Sequence, residues 1–366
     1  MMAAFAEIGL LTRRWTSEVL GRCGDFARRG KVSNCYRCLL LVVLMACGCA
    51  ESEQSAASAS SSSGKTTAKL SLNWYPEAEH GGYIAAKTLG IFDAAAIEME
   101  IVPGGPGAPI TIIAELAAGR TQFAISDADN VVKARATGLP IVAVLAPLQN
   151  SPRCIMVHEK SGIARLEDLA NVELAIREQR PFALWMKHKL PLTNVQMVPF
   201  NGLVGEFVTK PNFAQQAYSF SEPFLAKEQG SDPKVLMLSD IGFNPYACLL
   251  VTTESLISEK PELVKSVVES CTEGWSKYLA DPVAVNASIH EMNKDMSLDA
   301  LAFGATDMVS LCKTKDGEPF AQMSEARWTE LVSQIEELQD IPAASVKPSA
   351  CFTNRFIPML STTEKN

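Results

Sequence analysis

The run Asn73-Trp74-Tyr75-Pro76-Glu77-Ala78-Glu79-His80-Gly81-Gly82-Tyr83 gathers more chemistry than any other stretch of the chain. Its aromatics offer flat apolar faces, its carboxylates accept hydrogen bonds, and a helix starting at Gly81-Gly82 would turn free amides toward an anion. Gly104-Gly105-Pro106-Gly107 is a second loop whose backbone amides could form a nest for a negative group, but it lacks the Gly-Lys-Ser/Thr ending of a phosphate loop. Ser126 and Asp127 close a short apolar run and suit either a ligand contact or a helix cap. Further along, Glu222 before Pro223 reads as a carboxylate facing a cleft. Arg177 follows a strand signal and could meet an anion, and Asn244 and Tyr246 lie just before another apolar run.

These groups sit where alternating strand and helix signals place them at strand ends. From Ala68 the pattern reads as strands over 68–72, 98–102, 122–126 and 140–145, with helices over 82–89, 110–118 and 130–136 between them. Such units imply a parallel sheet with helices on both faces, and ligands bind at the carboxyl ends of its strands. A strand over 154–158 leaves this sheet and begins a second series: a helix near 166–170, a strand over 173–176, a helix over 182–189 and a strand over 195–198. Residues 213–220, a helix near 222–229 and a strand over 235–238 complete it. Residues 247–252 cross back, and four helices (261–279, 282–292, 297–312, 324–338) follow to cover the first lobe. The expected organisation is α/β with two lobes and a hinge: 68–153 plus 247–345 in lobe I, 154–246 in lobe II and 346–366 as a tail. No internal sequence repeat is evident.

The first 46 residues read as an export signal. Basic residues precede the apolar run Leu39–Met45, which is far shorter than the roughly 20 residues a membrane-spanning helix needs. The run ends at Leu44-Met45-Ala46-Cys47, similar to a bacterial lipoprotein cleavage box, with Cys47 as the lipidated residue and Cys49 as the alternative. Residues 47–67, rich in Ser and Ala, then form a tether without core-building side chains. Beyond residue 46 the chain holds 26 basic and 38 acidic residues, a net of −12, which argues against a nucleic-acid partner. Five cysteines remain in the body (Cys154, Cys248, Cys271, Cys312, Cys351), widely spaced and odd in number, and read as buried free thiols with at most an occasional pair. The four histidines are far apart and lack metal-ligand spacing, so neither a metal site nor a bound cofactor is expected.

The order of Asn73-Trp74-Tyr75-Pro76, His80-Gly81-Gly82-Tyr83, Leu89-Gly90-Ile91-Phe92, Val102-Pro103-Gly104-Gly105-Pro106, Ala124–Asp129, Ser221–Phe224 and Gly242–Tyr246 resembles the solute-binding proteins of ABC importers. The resemblance is to the group that includes thiamine-pyrimidine-precursor, nitrate and alkylsulfonate binders. It implies a two-lobed periplasmic-binding-protein-like (type II) fold and a monomer that captures a small solute in its cleft and passes it to a permease. An aminopyrimidine-type ligand is favoured, with nitrate, a sulfonate or a flavin-like compound as alternatives. The same fold group includes a eukaryotic enzyme that makes a thiamine pyrimidine with bound pyridoxal phosphate. Its dense cysteine cluster has no counterpart in this body, and Lys87 near the aromatic loop has no supporting cluster. A tethered sensor or structural lipoprotein is the third class.

Overall fold

The computed structural model describes residues 64–314 and 318–358. The signal region, both lipidation candidates Cys47 and Cys49, and nearly all of the expected tether lie outside the described residues.

Ten strands form two five-stranded sheets. The first contains β1 (Thr66–Ser71), β2 (Ile97–Val102), β3 (Phe123–Ser126), β4 (Ile141–Leu145) and β10 (Leu249–Thr253); the second contains β5 (Arg153–His158), β6 (Glu173–Ala175), β7 (Gln196–Val198), β8 (Phe213–Tyr218) and β9 (Pro233–Met237). Strand order is β2-β1-β3-β10-β4 in one sheet and β7-β6-β8-β5-β9 in the other. The two orders are the same pattern, with the crossing strand inserted at the same place in each. β3 and β4 are buried at every position because both faces are covered, whereas β2 alternates buried and exposed residues at the sheet edge.

The sheets are mixed rather than parallel. β10 runs antiparallel to β3 and β4, and β5 runs antiparallel to β8 and β9. The reason is the crossing: a strand arriving from the other lobe enters at the cleft, where its neighbours end, and so must run against them. The helix expected near 166–170 is a short 3₁₀ turn, Leu166–Asp168, and two short helices, Gly205–Thr209 and Glu254–Glu259, carry too little periodicity to be seen in the sequence. Part of the expected tail is packed. The Ala143 N–H donates to the Cys351 carbonyl at 2.9 Å and its carbonyl accepts from Thr353 N–H at 2.9 Å, which covers the open edge of β4.

Helix Gly81–Thr88 crosses helix Pro261–Ala280 at close range. A Cβ on Gly82 would lie 2.1 Å from the Trp275 ring, and one on Gly274 would lie 2.2 Å from the Gly82 carbonyl. The glycines therefore serve helix–helix contact. Helix Glu325–Glu337 buries Trp328, Leu331 and Ile335 in a core that also takes side chains from both sheets. The five cysteines named above are free and buried. Among the described residues no helix is long and apolar enough to cross a membrane.

Candidate functional site

The carboxyl ends of β1, β3, β6 and β8 converge on one cavity between the lobes. Counted as positions open to the centre of a water-sized sphere, it holds about 80 Å³. The first lobe supplies Asn73, Trp74, Glu77, Glu79 and Asp127; the second supplies Arg153, Arg177, Arg180, Phe182, Phe200, Tyr218 and Glu222. Of the residues singled out in the sequence, the structure brings Trp74, Glu77, Asp127, Arg177 and Glu222 together here.

The others support this wall or lie elsewhere. Tyr75 is exposed and meets Trp74 edge to face at 5.6 Å, and a Cβ on Gly105 would touch the Tyr75 ring. Gly104 donates its N–H to the Trp74 carbonyl at 3.0 Å, and a Cβ there would lie 2.3 Å from the Leu72 carbonyl oxygen. Both glycines thus dock one loop against the other and set the position of Trp74. His80 is wholly buried behind the wall: Nδ1 accepts from Glu77 N–H at 3.3 Å, so Nε2 carries the hydrogen and donates to Asn73 Oδ1 at 2.9 Å. Burial pushes its pKa down to about 3, so it stays neutral and orders the loop. Gly82 faces Trp275, as described. Tyr83 points into the core and donates to the Cys248 carbonyl at 2.7 Å. Ser126 is buried beneath the cavity floor, 3.4 Å from Asn130 Nδ2.

Asn244 and Tyr246 lie outside the cavity lining, beside the crossing segments. Asn244 Oδ1 accepts from Ser151 N–H at 2.8 Å, lacing one crossing to the other. Tyr246 Oη accepts from Ser324 N–H at 2.9 Å, and Arg327 lies 3.7 Å over its ring while donating to the carbonyls of Gln149 (2.6 Å) and Asn244 (2.8 Å). Asp127 leads helix Ala128–Ala136 but does not cap it. Its Oδ2 takes Arg153 Nη2 at 2.6 Å and its Oδ1 accepts from Cys248 N–H at 3.1 Å, so one carboxylate holds both crossings.

Charge is unevenly compensated. Arg153, nearly fully buried, also reaches Asp129 at 3.8 Å, and Arg180 meets Asp129 at 3.8 Å. The net pull of the two guanidiniums outweighs burial and holds Asp129 below the usual carboxylate range. The carboxyls at the other end lack such partners. Burial, followed by repulsion from Glu222, pushes Glu77 up to about 8, with hydrogen bonding from Ser221 and Trp74 opposing. Burial, then Asp127 and Glu77, raises Glu79 well above its ordinary value. Burial also raises Glu222, although its Oε2 accepts from Tyr218 N–H at 2.8 Å. Burial thus biases these carboxyls toward their protonated forms beside an indole, and a protonated carboxyl donates and accepts at once.

Arg153, Arg180, Phe182, Phe200 and Tyr218 escape sequence reasoning. Arg153 alone left a trace, as a single charge leading the apolar run Cys154–Val157. Cys154 also borders the cavity, but its thiol donates to the Ala217 carbonyl at 3.4 Å and burial raises its pKa strongly, so it is not a primed nucleophile.

A two-lobed architecture with such a cleft agrees with the comparisons. The NMT1/THI5 like family profile matches residues 77–285, more than half of the chain, and the chain belongs to that family. The riboflavin-binding protein RibY of Chloroflexus aurantiacus is 25% identical over 221 residues, 58% of this chain and 62% of its own, so the match spans less than two thirds of that relative. The formylaminopyrimidine-binding protein of Halalkalibacterium halodurans is 21% identical over 311 residues, 81% of this chain and 92% of its own. The crystal structure of the periplasmic aliphatic sulphonate binding protein SsuA from Escherichia coli aligns with a TM-score of 0.60 at 13% identity, over 78% of this chain and 91% of that one. The fold is the periplasmic-binding-protein fold.

Proposed function

We propose that the protein captures a small nitrogen heterocycle of the aminopyrimidine type between its lobes and delivers it to the permease of an ABC importer, without chemistry on the ligand. The observation that carries this reading is the Glu77 carboxyl, held up to about 8 beside the Trp74 indole. A protonated carboxyl donates through its hydroxyl and accepts through its carbonyl. An aminopyrimidine presents the matching pair, a ring nitrogen and an adjacent exocyclic amine, and its ring can lie on the indole.

The RibY and formylaminopyrimidine-binding relatives both take heterocycles by name.

Closure needs contacts that exist only when both lobes meet the ligand, and Trp74 with Glu77 on one side and Tyr218 with Glu222 on the other provide them. In this reading the protein is an exported monomer held at the membrane by a lipid on Cys47, with Cys49 as the alternative. The test is a thermal-shift screen of the full chain against pyrimidine thiamine precursors, riboflavin, taurine, nitrate and bicarbonate. A ligand at 100 times its dissociation constant stabilises by about 2.7 kcal/mol, a shift of several degrees. A shift from the pyrimidines alone supports the reading; a shift from taurine or nitrate alone replaces the ligand class, and none at all removes the capture function.

A further inference from the structure

Three guanidiniums line the cavity, and only one lacks a counter-ion. Arg153 is paired with Asp127 at 2.6 Å and Arg180 approaches Asp129 at 3.8 Å. Arg177 has no carboxylate within 4.0 Å among the described residues, and its guanidinium makes no hydrogen bond there. It lies instead over the rings of Trp74 (5.3 Å) and Phe200 (5.8 Å), while its backbone N–H donates to Gln216 Oε1 at 2.7 Å and fixes the start of the loop.

A half-buried cation next to two other cations is costly unless something negative joins it. Burial, then Arg180, lowers the pKa of Arg177, in keeping with that cost. The carboxyl whose field favours the Arg177 charge is Glu222, but Glu222 is engaged with Tyr218 N–H, and burial favours its protonated form. The Trp74 and Phe200 rings flank the guanidinium, and its N–H groups, without a hydrogen bond among the described residues, remain for a bidentate contact.

We infer that Arg177 receives an anionic arm on the ligand, an oxyanion such as a phosphate or sulfonate carried by the ring that Glu77 and Trp74 recognise. The inference rests on the capture reading above and narrows it: the ligand has a base-like end for the carboxyls of the first lobe and an acidic end for the second lobe. Such a ligand would span the cleft and supply the charge that the second lobe lacks.

The test is calorimetric titration of the full chain with 4-amino-5-hydroxymethyl-2-methylpyrimidine and with its phosphate, with inorganic phosphate as a control. The expected result is about tenfold or tighter binding of the phosphorylated ring over the alcohol. In Arg177→Gln the ratio should fall to about one. Arg177→Lys keeps a point charge without the planar fork, should retain only part of the preference, and stands in if the glutamine variant does not fold. Equal or tighter binding of the alcohol overturns the inference while leaving the capture reading intact. Binding of inorganic phosphate as tightly as the phosphorylated ring also overturns it, since the arm would then be read without the ring. Failure of both pyrimidines to bind a folded chain overturns the capture reading and this inference together.

Discussion

The first lobe faces the cavity with carboxyls and an indole; the second faces it with guanidiniums, phenyl rings and one carboxyl. Compensation between the two walls is uneven. At the hinge, Asp127 and Arg153 are locked at 2.6 Å, and the same carboxylate holds the Cys248 N–H of the other crossing. Elsewhere in the cavity, Glu77 and Arg177 have no such partners: one is raised to about 8 and the other lies over aromatic rings. The contrast teaches how the molecule divides its work. Charge pairs that are complete without a ligand tie the two crossings together, and groups left incomplete line the cavity, so in the proposed function the free energy for closure comes from what enters it.

The largest effect should come from breaking the completed side. Arg153→Met leaves Asp127 buried without its cation and Asp129 with Arg180 alone, and should cost about 3–5 kcal/mol in denaturant unfolding. The same change at Arg177, which has no partner to strand, should cost far less. Similar losses at both positions would erase the distinction between hinge and cavity.

Next in size is the incomplete side's main contact surface. Trp74→Ala should weaken binding of the best pyrimidine by on the order of 10–100-fold in titration calorimetry, with the fold intact by circular dichroism. Unchanged affinity would remove the indole from the ligand site.

A further effect is in pH. Glu77 has a folded pKa raised from 4.5 to about 8, so the folded state binds more protons than the unfolded chain between these values. Its contribution therefore favours folding at low pH and is progressively lost as pH rises from about 4.5 to 8, with a slope of at most about 1.4 kcal/mol per pH unit. Glu77→Gln should flatten that part of the stability profile measured by urea unfolding. A profile identical to the unmodified chain would show that Glu77 does not hold its proton.

Much of the architecture was legible because apolar periodicity is local. The strand and helix alternation placed β1 to β10 near their observed positions, and the two crossings were visible as apolar runs at Cys154 and Ala247. Strand direction was not legible, since it depends on which end of a sheet a crossing strand enters. The site divides in the same way. The residue types at Trp74 and Glu77 announced themselves, but the turn at Ala78–His80 sends His80 and Tyr83 inward, and nothing in their spacing shows that. The Gly81-Gly82 pair looks the same in sequence whether it admits a ligand or, as here, the Trp275 and Tyr278 rings of a helix nearly 200 positions away. Arg153, Arg180, Phe182 and Tyr218 meet at the cavity from positions far apart in the chain, and contact at that range leaves no local pattern. Asn244 and Tyr246 bond to Ser151 and Ser324 N–H groups, partners far away in sequence that leave no local signal.

The most direct measurement is a crystal structure of the full chain soaked or grown with 4-amino-5-hydroxymethyl-2-methylpyrimidine. The account predicts density for one ring between the lobes, lying on Trp74, with its ring nitrogen and amine within hydrogen-bond distance of the Glu77 carboxyl. A ring found elsewhere on the molecule, or a cavity left to solvent while the compound binds in solution, would contradict it.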